Sequence, residues 1–306
     1  MPAPTEGGFD IRASNSDIVS IFDIRISDFS ILLLLTCYLL PIYNVLMNLK
    51  IRPPAVAGSF YPNNPYQLKH LIQSLWPKDV TSTQPKALIV PHAGYIYSGA
   101  VATAAYALID PNHTNHIILI GPSHHFTFTG LSQDIHTHWQ TPLGQVPIKP
   151  IKPNPPYLFN NSTHHLPEHS LEVQLPFLQY HLKTNFTITP LLISTPSHLD
   201  QLTQIIIQNL APNTLVIISS DLSHYYPLPI AQQKDQLTIQ TILDLDIDTL
   251  LSHPDIEACG KYAIALLLKI ALTQGFKPQL IAYDTSATAS GDTTHVVGYT
   301  AIAFYQ

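Results

Sequence analysis

Three stretches of this sequence share one pattern, a short apolar run that ends in a turn containing histidine. They are ALIVPHAGY (87–95), HIILIGPSHH (116–125) and LVIISSDLSHY (215–225). Short apolar runs bounded by Pro, Gly or Ser are typical of buried strands. Open α/β sheets bind ligands beyond the carboxyl ends of their strands, so the turns that follow these runs are the first place to look for a functional site.

The remainder of residues 51–306 alternates apolar runs with longer helical patterns. Further predicted strands are TITPLLI (187–193), LIAY (280–283) and VVGYTAIAFY (296–305). Predicted helices are GAVATAAYALI (99–109), SLEVQLPFLQYHL (170–182), HLDQLTQIIIQNL (198–210) and KYAIALLLKIALTQG (261–275). This alternation predicts one α/β domain with a mostly parallel central sheet flanked by helices. Pro176 is expected to kink or shorten its helix. Residues 139–156, rich in Pro, are expected to form an excursion with one or two antiparallel strands.

The amino-acid composition indicates which kinds of partner and which cellular compartment to expect. The chain has 306 residues, 45% of them hydrophobic, which is enough for a large core. Only 11% are charged, the net charge is −6, and Lys and Arg form no cluster, so a nucleic-acid partner is not expected. Two cysteines in unrelated contexts, Cys37 and Cys259, argue against a disulfide framework and favour the reducing cytoplasm.

Residues 1–50 are interpreted as a separate N-terminal extension. FSILLLLTCYLLPIYNVLM (29–47) reaches the lower length limit for a helix that spans a bilayer, although Pro41 interrupts it. Three interpretations stay open: an upstream stretch that is not translated because the protein starts at Met47, a disordered extension, or a membrane anchor. Contact with a membrane is expected only in the last case. Mass spectrometry of the native N-terminus distinguishes them.

The histidines after the three strands form a candidate site. His92, His124 and His224 occupy equivalent strand-end turns, and Asp221 lies in the same turn as His224. A single buried histidine is usually structural, but three at equivalent strand ends favour a site with nitrogen ligands and a nearby acid or base. The neighbouring His125 is left open as a second ligand, an orienting residue or a bystander, and only the family resemblance described below favours His124 over it.

Cys259 is a further candidate, in the sequence EACGK at the start of a predicted helix. The helix dipole and Lys261 would favour its thiolate, whereas a buried and unreactive cysteine is the alternative. Two histidines and a cysteine are a feasible ligand set for copper, iron or zinc. Glu168, His169 and Glu172 open another predicted helix and are interpreted as capping residues with a weaker claim to a site. Other histidines, including His116 and His165, are interpreted as surface or packing residues.

Eight segments resemble the MEMO-like family, known in prokaryotes as AmmeMemoRadiSam system protein B. In order they are RPPAVAGSFYP, PHAGYIYSGAVA, ILIGPSHH, WQTPLG, EHSLEVQLPFL, ISSDLSHYY, ACGKYAIALLL and SGDTTHVVGYTAIAF. The resemblance covers nearly all of residues 51–306. It implies a fold like that of the class III extradiol dioxygenases, which are non-haem iron enzymes.

The resemblance also implies site residues and cofactors. The family's metal ligands fall on His92, His124 and Cys259, and Asp221 and His224 match the polar pair of the same pocket, here the candidate catalytic residues. Iron or copper and an oxidoreductase activity are implied. The Cys259 thiolate stands where the dioxygenases have a carboxylate, which argues against ring cleavage.

Three functions follow from these observations. The first is a metal-dependent redox protein whose substrate is not specified. The second is a non-enzymatic adaptor or peptide-binding protein that takes a small molecule or a modified peptide, or that works with radical-SAM and AMMECR-like proteins. The third is metal-assisted hydrolysis, with Asp221 or Glu168 as the carboxylate. The sequence does not specify the metal, the oligomeric state or whether the site is catalytic.

Overall fold

A sheet of nine strands lies at the centre of the fold. The structure is a computed structural model, and it describes residues 50–152, 155–183 and 186–306. The strands of this sheet are β2 (Ala87–Val90), β3 (His116–Pro122), β4 (Leu131–Gln133), β7 (Leu158–Asn160), β8 (Thr187–Ile193), β9 (Thr214–Ser219), β10 (His224–Tyr226), β11 (Lys277–Thr285) and β12 (Val296–Tyr305). Their order is β10-β12-β2-β9-β3-β8-β4-β7, and β11 pairs with β12.

The centre of this sheet is parallel and its margins are mixed. Strands β2, β9, β3 and β8 pair in parallel, whereas β12 is antiparallel to β2, β10 and β11, and β4 is antiparallel to β8. The predicted α/β fold is confirmed, with antiparallel strands added on both sides of the parallel centre. Because β2, β9 and β3 are parallel neighbours, their carboxyl ends meet at one edge, which we call the site edge. The three histidine turns leave the sheet there.

Nine helices accompany the sheet in the described ranges. They are α1 (Pro65–Leu75), α2 (Tyr95–Tyr106), α3 (Ser162–His165), α4 (Leu175–Leu182), α5 (Leu199–Ile207), α6 (Leu228–Leu243), α7 (Ile247–Ser252), α8 (Lys261–Gln274) and α9 (Ala287–Ser290). The four predicted helices are present. Pro176 lies in the first turn of α4, where its missing N–H costs nothing, and a 3₁₀ turn over Glu172–Gln174 precedes it.

Side chains alternate between the two faces of the sheet and build a core on each. Ala87 and Ile89 of β2 point into one core, which α5 and α8 cover, and Leu88 and Val90 point into the other, covered by α1, α2 and α4. Every residue of β2 is fully buried. This burial on both faces explains why the central strands appear as continuous apolar runs in the sequence.

A smaller sheet of three strands lies in the predicted excursion. Strands β5 (His138–Thr141) and β6 (Gly144–Pro147) form an antiparallel hairpin, and β1 (Ile51–Arg52) pairs in parallel with β5. The pairing of β1 places Arg52 in the interior, where its guanidinium lies 4.2 Å from the ring centre of Trp139. The excursion with antiparallel strands is confirmed.

None of the helices within these described ranges is both long and apolar enough to cross a bilayer. The predicted extension over residues 1–50, with its apolar run at 29–47, lies outside the described residues apart from Lys50.

Candidate metal centre

Three of the predicted site residues meet at the site edge. Nε2 of His92 lies 3.3 Å from Sγ of Cys259, and one ligand atom each from His92, His124 and Cys259 fall within 4.8 Å of one another. His92 is buried, Cys259 is partly buried, and the side chain of His124 is 30% exposed. The structure therefore brings together the ligand set that the sequence predicted, with an opening on the His124 side.

Ser219 at the end of β9 fixes the ring of His92. The Ser219 hydroxyl donates to the carbonyl oxygen of Ser170 (2.6 Å) and lies 2.9 Å from Nδ1 of His92. Since that hydroxyl proton is already committed, His92 Nδ1–H is the donor of the second bond, and Nε2 keeps its lone pair. Burial, followed by the nearby His169 and His124, holds the pKa of His92 well below its ordinary value. A neutral imidazole with Nε2 free is the form that binds a metal ion.

Glu168 performs the same task for His124 through a carboxylate. Its two oxygens accept the His124 backbone N–H (2.6 Å) and His124 Nδ1–H (2.9 Å), which again leaves Nε2 free. Burial alone would raise the pKa of Glu168, but the hydrogen bond and charge of His124 outweigh it and hold that pKa well below the ordinary range. The pKa of His124 rises because the Glu168 carboxylate outweighs the opposing effect of burial.

A tight turn seats Cys259 against the end of β9. The Cys259 backbone N–H donates to the carbonyl oxygen of Asp221 (3.3 Å), and the Asp221 N–H points at Sγ (3.2 Å). Gly260 follows with no room for a side chain, since an added Cβ would lie 2.6 Å from Ser220 Cβ and 2.7 Å from the Ser219 carbonyl oxygen. The glycine allows this close approach of the two backbones.

The acidity of Cys259 differs from the sequence-based expectation. Burial, and then the Asp221 carboxyl, raise the pKa of the thiol, and this outweighs the Asp221 N–H. Helix α8 begins only at Lys261, so Cys259 precedes its first turn, and the Lys261 ammonium lies 5.6 Å from the centre of the Tyr262 ring. Desolvation of the sulfur therefore dominates over the helix dipole.

Asp221 and His224, the predicted acid–base pair, lie unequally close to the ligands. One oxygen of Asp221 accepts the His92 backbone N–H (2.8 Å) and the other lies 4.0 Å from His92 Nε2. Burial raises the pKa of Asp221 to about 7. His224 begins β10 and is partly buried, which lowers its pKa, and the charge of His124 lowers it further. Asp221 thus touches a ligand, whereas His224 lies outside the three-residue cluster.

Glu168 and His169 belong to the site more firmly than the sequence indicated. Together with His124 they form a second group whose ligand atoms lie within 4.8 Å of one another. The ring centre of His169 is 4.7 Å from that of His124 and 5.5 Å from that of His92. Burial lowers the pKa of His169 to about 4. The sequence signal for these two residues was the EHS segment (168–170), but its position at the start of a predicted helix favoured the interpretation as capping residues. The exposed His125 belongs to neither group.

The donor set fits a first-row transition ion. Two imidazoles present Nε2 lone pairs, the thiol can release its proton to solvent when a cation binds the sulfur, and the side of His124 is open to further ligands. Such a mixture of nitrogen and sulfur donors suits copper, iron or zinc alike. The geometry supports a metal site and leaves the choice of metal open.

Comparison with known proteins agrees with this architecture. Residues 52–303 match the model of a family described as Memo-like protein. A MEMO1 family protein of Desulfurococcus amylolyticus is 36% identical over 286 residues, which cover 84% of this chain and 100% of the relative. Others from Thermoplasma volcanium (35%, covering 82% of this chain and 97% of the relative) and Ignicoccus hospitalis (37%, covering 83% and 98%) are similar. The chain belongs to the Memo-like family, whose fold is related to that of the dioxygenases.

Proposed function

We propose that this protein binds iron or copper through His92, His124 and Cys259 and acts in a redox reaction on a substrate that is not yet identified. One observation carries the proposal. His92 and His124, whose Nδ1 atoms are held by Ser219 and Glu168, each place a ligand nitrogen within 4.8 Å of the other and of the sulfur of Cys259. A purely structural histidine cluster has no need of two oriented lone pairs beside a thiol.

A bound metal would supply Lewis acidity and an exchangeable electron, while the chain supplies the proton chemistry around it. Asp221, whose pKa is raised by burial, lies beside His92 and is an acidic side chain placed to carry a proton. His224 provides a neutral imidazole in the next turn. In this proposal Asp221 and His224 orient a substrate or move its protons, as in a non-haem iron oxidoreductase.

Metal analysis tests the proposal directly. The full chain is purified under anaerobic, reducing conditions, as in the cytoplasm where we place it, and loaded with Fe(II) or Cu(I). We expect one ion per chain in the wild type and in the control His125→Ala. In Cys259→Ala the affinity should fall about 100-fold to 200-fold. One of four ligands accounts for about 3 kcal/mol, a quarter of the binding free energy at the lower end of the range for structural zinc sites. A wild type without bound metal, or a Cys259→Ala variant that binds normally, contradicts the proposal.

An adaptor function is the second candidate, and exposed apolar side chains near the site turns favour it. Ile96 and Tyr97 follow the His92 turn with 64% and 40% exposure, and Tyr225 next to His224 is 71% exposed. Exposed aromatic residues of this kind are typical anchors for a partner. The partner would be a modified peptide, or a radical-SAM or AMMECR-like protein.

Affinity capture from the native organism separates the two candidates. Stable partners that are retained after metal removal, and lost in a Tyr97→Ser, Tyr225→Ser double variant, favour the adaptor. Retention of partners by the double variant excludes these side chains as the docking surface.

A further inference from the structure

We infer that His169 is a ligand-binding residue of this centre. Its imidazole would donate a hydrogen bond to a small anion, or to an anionic oxygen of a substrate, bound where the metal has positions not filled by His92, His124 and Cys259. The inference rests on the proposed metal site and adds a residue that recognises what binds there.

The position of the ring is fixed by its neighbours. His169 stacks on His124 at 4.7 Å between ring centres, with 16° between the planes, and it stands perpendicular to His92 at 5.5 Å. Phe60 packs at 4.9 Å. The side chain is 21% exposed, so it borders the opening on the His124 side. A ring held in this way reaches a ligand without reorganisation, which lowers the entropic cost of binding.

The ring nitrogens of His169 are available to a ligand. Among the residues that the structure describes, the nearest acidic partner is Glu168, whose Oε1 lies 3.5 Å from Nδ1 and is not aligned for a hydrogen bond. That same Oε1 already accepts His124 Nδ1–H and the backbone N–H groups of His169 and Ser170. A partly buried imidazole that makes no hydrogen bond to the described residues, and that lies beside a cluster of candidate metal ligands, is suited to hold a bound molecule.

A second metal ion at His124, Glu168 and His169 is the rival explanation of the same cluster. Coordination by Glu168 would require this carboxylate to give up charge-assisted bonds of 2.6 to 2.9 Å that hold His124 and the loop in place. The bonding of Glu168 therefore favours one metal with an adjacent hydrogen-bond donor.

The ligand class follows from the donor that His169 offers. Whichever ring nitrogen is protonated, the imidazole presents an N–H, so the partner needs an acceptor atom. A small anion that coordinates a metal through one end and accepts a hydrogen bond at the other satisfies both groups. Azide has this shape and serves as the probe.

Azide titration of the cobalt(II)-loaded full chain, followed by visible absorption, tests the inference. His169→Phe keeps the stacked ring without N–H donors, His169→Gln restores a donor, and His125→Gln is the matched control next to His124. We expect one cobalt per chain in all four proteins. Azide affinity should fall about fivefold to tenfold in His169→Phe, the size of one hydrogen bond, and recover in His169→Gln.

The alternative outcomes each have a distinct meaning. Unchanged azide affinity in His169→Phe overturns the inference. Loss of cobalt from that variant makes His169 a metal ligand, and two cobalt ions per wild-type chain make the cluster a second metal site, so either result also overturns it. A wild type that binds neither cobalt(II) nor the Fe(II) or Cu(I) of the metal analysis defeats the proposed metal site itself. If circular dichroism shows that His169→Phe does not fold, His169→Asn replaces it, because its shorter amide cannot reach the ligand.

Discussion

Strand β3 has a histidine at its amino end and another just beyond its carboxyl end, and the two behave oppositely. His116 is buried between the hydroxyls of Thr187 (2.9 Å from Nδ1) and Thr189 (3.3 Å from Nε2), and burial lowers its pKa to about 4. His124 pairs with the Glu168 carboxylate, and its pKa rises. Hydroxyl groups occupy both ring nitrogens of His116 and leave none free, whereas the single carboxylate partner of His124 occupies Nδ1 and leaves Nε2 free. The partner, more than the strand, decides the chemistry.

The largest expected effect concerns Arg52, which holds the loop that carries Glu168. The guanidinium is fully buried and donates to Glu172 Oε2 (2.6 Å) and to the carbonyl oxygens of His165 (2.7 Å) and Glu168 (2.6 Å). Arg52→Met leaves the Glu172 carboxylate buried without its cation, so we expect the free energy of unfolding to fall by about 3 to 5 kcal/mol. Urea titration measures it, with Lys78→Met at an exposed site as control. A loss below about 1 kcal/mol, the scale of surface pairs, would show that this network does not support the site edge.

Gly260→Ala tests how tightly the site edge is packed. The added methyl group would meet the Ser219 carbonyl oxygen and Ser220 Cβ, which the sheet holds in place, so we expect a loss of about 2 to 3 kcal/mol in stability. The control is Gly94→Ala in the His92 turn, where the nearest atom would lie 3.6 Å away. Equal stability of the two variants in thermal and urea unfolding would contradict the close seating of the cysteine turn.

Glu168→Gln tests whether His124 needs an ionised hydrogen-bond partner in order to bind a metal. Gln fits the same space but lacks the charge and offers a single acceptor oxygen. The metal affinity should therefore fall about 10-fold to 100-fold, the usual effect of removing the carboxylate behind a ligating histidine. Competitive metal titration measures this, and Asp248→Asn on exposed α7 controls for the change in net charge. An unchanged affinity would mean that an uncharged hydrogen-bond partner, such as Ser219 is for His92, is sufficient for His124 as well.

The smallest expected effect is at the other end of β3 and depends on pH. The pKa of His116 in the folded protein, about 4, lies below the ordinary 6.5, so the unfolded chain takes up the proton first as the pH falls. The contribution of the neutral His116 to the free energy of unfolding is fully present above about pH 6.5 and is lost progressively down to about pH 4. Between pH 7 and pH 5 the free energy of unfolding should therefore fall by about 1 to 2 kcal/mol more in the wild type than in His116→Gln. Urea titrations across this range measure it, with exposed His113→Gln as the reference. Parallel curves for wild type and His116→Gln would show that His116 is not kept neutral.

Much of the fold was predictable because its strands are buried on both faces. The runs TITPLLI (187–193) and VVGYTAIAFY (296–305) coincide with β8 and β12, since a continuous apolar run between breakers has few other interpretations. Helix α6 was missed because its sequence LPIAQQKDQLTIQTIL mixes Gln and Thr into both faces, and packing against β11 and β12 maintains it.

The site was predictable where strand ends supplied its residues, and less so where loops did. His92 followed from its strand, whereas the choice of His124 over His125 rested on the family resemblance, as did the place of Cys259 in the ligand set. Glu168 reaches His124 across 44 positions of sequence, and local pattern alone favoured a helix cap. The raised pKa of Cys259 was not predictable either, because it depends on how much water the folded chain excludes from the sulfur.

The contact between His92 and Cys259 joins residues that are 167 positions apart. An unfolded chain cannot hold these two side chains together, so an ion with affinity for the pair binds the folded protein much more tightly than the unfolded one. Its binding free energy then adds to the free energy of unfolding, by about 2.7 kcal/mol at a free-ion concentration 100 times the dissociation constant. If the proposed metal binds there, the melting temperature would rise with the supply of that metal, and a shortage of it would shorten the lifetime of the folded chain.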